Sequence, residues 1–428
     1  MTTGTLARGR AAWTSAREDP LLRSSTFLFL TSVVTAVLGF AFWAIAARLY
    51  SAADIGAASA LLSAISLLSY LSLVGLNNLV IVRSADLRRS TLFATALAVV
   101  GVLGITGAVL YLLAVRWVSP PLGAVLASPL MVAFFALASW GAAVNVLTDS
   151  VFVARNAAHL NLWLNAFLQG AVRLSCLVGV AALGATGLVL STGLAVAVTG
   201  VASLAVIRRS FGIPIRARPR RADVEGALSF VAGTYVSSLL YLVPQIVVPL
   251  VLVHEAGREA NAYYFIAFQI GYLLYASADA VGQSVFAQAA GATGRGALLR
   301  RSALVLGSVT LLGIAVSELL AEPLLRLFGA GYVEHSLAPL RALLAAGAVV
   351  ALNVWSSFVL RVLGRIRLLV LANVAHAGVT IVLTACWAQR GPLWVALAWT
   401  LGNLSAALVA CPALVRRGRR PPVPQEEP

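Results

Sequence analysis

Twelve stretches of roughly twenty mostly apolar residues follow one another along the chain, and no other feature limits its fold so severely. Hydrocarbon offers no water to a peptide group. A segment crossing about 30 Å of it must therefore satisfy its backbone internally, as an α-helix of about 20 residues does. The approximate bounds are 24–47, 57–82, 91–115, 129–153, 161–183, 187–207, 227–252, 262–287, 302–321, 338–360, 368–388 and 392–415. Composition agrees: 60% of the 428 residues are hydrophobic and 11% charged, where an ordinary soluble domain has about 25% charged. That balance excludes a cytosolic enzyme, a secreted disulfide scaffold and a disordered chain. The expectation is an all-α polytopic membrane protein.

The first 23 residues carry Arg8, Arg10, Arg17 and Arg23 without an apolar core. The stretch that follows exceeds the apolar region of a signal peptide, so it is expected to stay as the first span. Cys176, Cys386 and Cys411 all lie in apolar stretches, with no paired spacing for a disulfide or zinc site. The four histidines are scattered and no phosphate-cradling glycine motif is present. No cofactor and no enzymatic activity are expected.

The 31 basic residues are all arginine. Alternate loops, counted from the N-terminal tail, hold 24 of the 31, and Arg173 alone sits in mid-span. By the positive-inside rule both termini are cytoplasmic, in a multi-pass protein of the cell membrane. Topology and attraction to anionic lipid explain the net charge of +16. Dense basic runs with interleaved aromatics are missing, so nucleic acid is not an expected partner.

The longest polar break, RRSFGIPIRARPRRADVEG (208–226), divides the spans six and six. VFVAR (151–155) closes the fourth span and SFVLR (357–361) the tenth; VIRR (206–209) and LVRR (414–417) close the sixth and twelfth. These offsets of 206 and 208 residues favour a duplication. The expected organisation is a six-helix bundle over 1–207, a basic cytoplasmic linker over 208–226, a second bundle over 227–415 and a tail over 416–428. Both copies start on the same side, so they are parallel repeats, a build that places substrate between its halves.

Polar residues inside spans are the candidate machinery. Arg173 is too deep to reach a headgroup, and either faces a cavity or an ion-pair partner, or bonds a neighbouring carbonyl. Arg48 closes the first span, and either lines a cavity mouth or anchors to headgroups. Asp149 and Asp279 are candidates for proton or ion coupling, with pairing to Arg155 the alternative for Asp149. Glu318 reads as interfacial, and most of the scattered Asn and Gln as packing glue. Gln245 lies between Pro244 and Pro249, in LVPQIVVP, where two prolines free backbone carbonyls and suggest a gate.

The stretch GFAFWAIAARLYSAADIGAASALLSAISLLSYLSLVGLNNLVI (39–81), with DSVFVARNAAHLNLWLNAFLQGAVRL (149–174) and the twelve-span layout, resembles the Wzx-like polysaccharide and oligosaccharide flippases of the MOP superfamily. The resemblance implies two pseudo-symmetric six-helix bundles of MATE-like build. It also implies a transporter that moves a lipid-linked oligosaccharide, carried on a polyprenyl diphosphate, across the cytoplasmic membrane for cell-surface polysaccharide biosynthesis. Substrate contacts then fall to Arg48 and Arg173, with Asn77 and Gln245 as sugar-contacting groups, and glycan-assembly enzymes are candidate partners beside the bilayer. Two other readings stay open. One is a MATE-like drug or metabolite antiporter, against which the first span lacks an acidic residue. The other is a transport-dead scaffold for glycan-assembly enzymes, for which the seam between halves would be dry.

Overall fold

Backbone satisfaction decides the architecture. The computed structural model describes residues 20–88, 90–215, 220, 228–289 and 295–415, and its long elements are all helices. The first half holds α1 (Pro20–Leu49), α2 (Ala52–Leu73), the short α3 (Leu76–Val82), α4 (Leu92–Val118), the short α5 (Pro120–Val125), α6 (Pro129–Ala154), α7 (Ala158–Gly179) and α8 (Ala185–Phe211). The second holds α9 (Leu228–Ala256), α10 (Arg258–Ala289), α11 (Arg295–Phe328), α12 (Ala330–Val362), α13 (Ile366–Trp387) and α14 (Pro392–Val415). Eleven helices among the described residues are long and apolar enough to cross a membrane. The remaining long helix, α10, carries Gln269, Asp279 and four tyrosines, and is correspondingly less apolar. The expected linker is described only at 208–215 and 220, and the expected tail at 416–428 lies outside the described residues.

Each half packs on itself. In the first, α6 lies against α8, α4 and α2, while α7 lies against α1 and α8; in the second, α12 lies against α10, α11 and α14, while α13 lies against α14 and α9. The two motifs that suggested a duplication occupy the same place in their halves: Arg155 caps α6 and Arg361 lies in the last turn of α12. Between the halves, α2 packs on α9 and α10, and α1 touches α10 and α11.

Two expectations need correction. The stretch 57–82 is not one helix: it breaks at Val74 and Gly75, both with positive φ, into α2 and α3. The break frees the last carbonyls of α2, and Tyr235 of α9 satisfies two of them, its hydroxyl donating to Tyr70 O (2.5 Å) and Leu71 O (3.3 Å). The interval 322–337, expected as a loop, is helical on both sides of Gly329. Charged pairs support these extensions: Glu322 and Arg326 at 2.6 Å one turn apart, and Glu318 and Arg341 at 3.6 Å between α11 and α12.

The seam is tightest where α2 crosses α10. A Cβ added at Gly56 would stand 1.6 Å from the carbonyl oxygen of Arg258. Only a bare backbone fits, as in other close helix crossings. Asn261 of α10 fixes the register, its Nδ2 donating to Gly56 O (2.8 Å) and to Ser59 Oγ (3.0 Å). Gly56→Ala must push α2 off α10, and a cost of about 1–3 kcal/mol is expected for such overpacking. Thermal unfolding of the purified protein in detergent measures it; an unchanged midpoint would show that the crossing is looser than described.

Candidate functional site

A cavity of about 310 Å³ lies on the seam. The first half contributes Trp43 from α1, Ser59, Leu62, Ser63 and Ser66 from α2, Arg173 from α7 and Thr192 from α8; the second contributes Gln245, Ile246 and Pro249 from α9 and Tyr264, Phe265, Phe268, Gln269 and Tyr272 from α10. The helical repeat explains the grouping. Ser59, Ser63 and Ser66 recur at helical spacing and so share one face of α2. The same spacing places Tyr264 or Phe265, Phe268 or Gln269, and Tyr272 on one face of α10.

Arg173 is the one charged side chain in this lining. Its guanidinium carbon stands 3.6 Å from the centroid of the Phe42 ring and 5.4 Å from that of Trp43. Its Nε donates to Thr192 Oγ1 (3.1 Å). A desolvated cation–π contact is worth about 2 kcal/mol, whereas an arginine in mid-bilayer costs about 2.5–3.5 kcal/mol on insertion scales. The ring and the hydroxyl hold the side chain in place, yet no carboxylate in the lining balances its charge. Among the described residues, no hydrogen bond is made by its two Nη groups, a geometry suited to bidentate contact with an anion.

Of the other sequence candidates, Gln245 joins Arg173 in the lining, as does Pro249, whereas Pro244 is buried just outside it within the same continuous helix. Arg48 is elsewhere. From the end of α1 its Nε donates to Leu327 O (2.9 Å) and its Nη2 to Arg326 O (2.6 Å), capping the last turn of α11 in the opposite half. Phe40 packs edge-on against Phe328 beside it, centroids 5.2 Å apart. Asn77 begins α3 beyond the helix break, outside the lining, with its Oδ1 buried and without a partner among the described residues.

Asp149 accepts a short hydrogen bond from Asn165 of α7 and makes no ion pair with Arg155 among the described residues. Asp279 lies on α10 about two turns beyond the cavity-lining Tyr272, outside the lining itself and within electrostatic reach of Tyr272, Tyr241 and Arg361.

Sequence reasoning missed the serine face of α2, Trp43 and Thr192. The serine spacing was a signal, since hydroxyls at 59, 63 and 66 fall on one side of a helix. It also missed how the turn after α1 stitches this end together. Tyr50 donates to Leu177 O at the end of α7 (2.8 Å), Ser51 caps α2 through Asp54 N (3.1 Å), and Asp54 Oδ1 accepts from Ala185 N at the start of α8 (3.0 Å).

No family model matches the chain, and no curated protein matches it. Solved structures do. The lipid II flippase MurJ in an inward closed conformation superposes with a TM-score of 0.73 at 11% identity, covering 90% of this chain and 87% of that one. An inward-facing multidrug resistance MATE transporter of the MOP superfamily gives 0.69 at 15%, covering 90% and 96%. A MOP superfamily transporter from Pyrococcus furiosus, described by the reverse polarity of its binding pocket, gives 0.63 at 16%, covering 91% and 93%. The chain therefore shares the all-helical fold of these solved transporters.

Arg48→Ala removes the two bonds that tie α1 to the end of α11. Spin labels at Val37 and Leu320, both exposed, are expected to show a longer or broader distance distribution in this variant by pulsed dipolar spectroscopy. An unchanged distribution would mean that Arg48 does not hold this end shut.

Proposed function

We propose that the chain is a transporter that flips a lipid-linked oligosaccharide, carried on a polyprenyl diphosphate, across the cytoplasmic membrane for cell-surface polysaccharide biosynthesis. One observation carries this reading: the seam cavity holds a single charge, the guanidinium of Arg173, with both Nη groups unpartnered among the described residues. Such a cavity favours an anion, and repels a cationic drug. The surrounding hydroxyls and amides, from Ser59, Ser63, Ser66, Thr192, Gln245 and Gln269, suit a polyhydroxylated ligand, with tyrosine and phenylalanine rings available to stack on sugar faces. A polar seam also argues against the transport-dead scaffold.

In this reading the bundles over 1–207 and 227–415 rock against each other about the cavity, joined by the basic linker at 208–226. The arginine asymmetry puts the α1–α2 turn on the outer side and both termini in the cytoplasm. Pro244 and Pro249 let α9 bend as the gate opens. Asp279, on the same helix as the cavity-lining Tyr272, and Asp149, within the first bundle, are the groups through which a proton or cation would couple to the movement. Arg48 serves the outer closure, and Asn77 lies on the route to the opposite opening. Glycan-assembly enzymes are the partners this pathway requires.

The cavity volume favours a second reading. About 310 Å³ lies at the small end of ligand sites, enough for a phosphate group and an adjoining sugar but not for a whole oligosaccharide. An antiporter of small anionic metabolites would need no larger space.

Reconstitution separates the two. Proteoliposomes loaded with a fluorescent lipid-linked glycan should expose it to an external quencher faster than protein-free vesicles. Losing a charge-assisted hydrogen-bonding group costs about 1.5–3 kcal/mol, so Arg173→Gln should slow translocation roughly 10–100-fold, with Arg173→Lys intermediate. Equal rates in wild type and Arg173→Gln would overturn the role of Arg173. Exchange of soluble sugar phosphates without movement of lipid-linked glycan would favour the antiporter.

A further inference from the structure

Span α7 is not wound uniformly. Between α-helical ends at Ala158–Asn161 and Gln169–Gly179, residues Leu162–Leu168 form a π-helix. Such segments cost hydrogen-bond quality and persist where something holds them. The polar residues of this span explain what does. Asn161, Asn165, Gln169 and Arg173 recur every four positions. In a continuous α-helix, residues four apart drift by about 40° at each step, and the row would spiral away from its neighbour. A π segment turns each residue by less, so the row straightens along α6. There Asn165 Nδ2 donates to Asp149 Oδ1, and Asn145 Nδ2 donates to Gln169 Oε1 at 3.1 Å. Asn165 also reaches Asn161 Oδ1 at 3.5 Å.

The next member of the row is Arg173, which leaves α6 for the cavity. Its direction depends on the winding before it. A π segment lags an α-helix by the equivalent of one residue, roughly 100° of rotation. Were Leu162–Leu168 to relax to α without loss of a residue, everything beyond would turn forward by that angle. Val172 would take the position of Arg173, and the guanidinium would swing away from Phe42 and Thr192.

We infer that Asp149 and Asn165 are positioning residues: their hydrogen bond pins the π segment and thereby sets the register that aims Arg173 into the cavity. This rests on the reading of Arg173 as the anion contact, but the register itself can be measured with no substrate present. Position 173 is replaced by cysteine in a protein with Cys176, Cys386 and Cys411 changed to serine, and labelled with a water-soluble maleimide; Val172→Cys is tested in parallel. With Asp149 and Asn165 intact, position 173 should label and position 172 should not. Adding Asn165→Leu should reverse this, with labelling at 173 falling several-fold and labelling at 172 rising. Deleting Phe167, an exposed residue of the π segment, in that same variant removes the surplus residue and should return labelling to 173. A merely structural role for Asn165 would not move reactivity from one position to the next, nor be rescued by a deletion.

Asp149→Ala removes the same bond from α6 and should reproduce the shift, which covers the case in which Asn165→Leu does not accumulate. Labelling confined to 173 in whichever of these variants is recovered would overturn the inference. Failure of both to accumulate, with the deletion not restoring folded protein, would also overturn it, because the pair would then be holding the bundle rather than the register. Slow translocation by Arg173→Gln together with an unmoved labelling pattern would sink this inference and leave the proposed function standing.

Discussion

A peptide group without a partner in hydrocarbon is the constraint that organises this protein. Helices satisfy their interiors, so the difficulty falls on their ends and breaks, and long-range side-chain contacts answer it there. Tyr235 reaches across the seam to the carbonyls released by the break after α2. Arg48 does the same for the last turn of α11. Tyr50 and Asp54 satisfy the end of α7 and the start of α8. Two of these four tie one half to the other. The demand for backbone partners thus also supplies contacts that tie one half to the other.

Between those contacts the same requirement works in reverse. The cavity is lined by side chains that have polar atoms to offer, and its charge is unbalanced. Arg173 rests on an aromatic ring and one hydroxyl, which steady the side chain without neutralising it. Supporting groups that leave the bidentate edge open are what a reusable anion site needs, because a resident carboxylate would compete with the ligand. On the other side the aromatic face of α10 closes the wall with apolar contacts, Trp43 packing edge-on against Phe265 at 4.7 Å.

Much of this was legible in the sequence, for physical reasons that differ from residue to residue. The spans were readable because length and apolarity are local properties; Arg173 stood out because a charge in mid-span needs a partner or a wet cavity, and Gln245 because two prolines flank it. The end of the second span was misread: hydropathy is blind to a positive φ at Val74 and Gly75, and Tyr235, which makes the break tolerable, comes 165 residues after Tyr70. Arg48 left two readings open, a cavity mouth or headgroups, and its hydrogen bonds to carbonyls 278 and 279 residues away are a tie that no local pattern signals. The interval 322–337 looked like a loop because charge reads as solvent exposure, whereas helices simply continue past the apolar layer. The motif ARLYSAADIG, which carried the family resemblance, turns out to be dense in end-capping contacts, so its likeness to a family reports shared architecture rather than a shared ligand.

The central claim is that the seam cavity selects for negative charge. Native mass spectrometry of the purified protein tests it most directly, with an equimolar mixture of a polyprenyl phosphate and the polyprenol of the same chain length. The two differ only in the group that would meet Arg173. Retention of the phosphate at least tenfold over the alcohol is the expected result; equal retention of the two would contradict the claim.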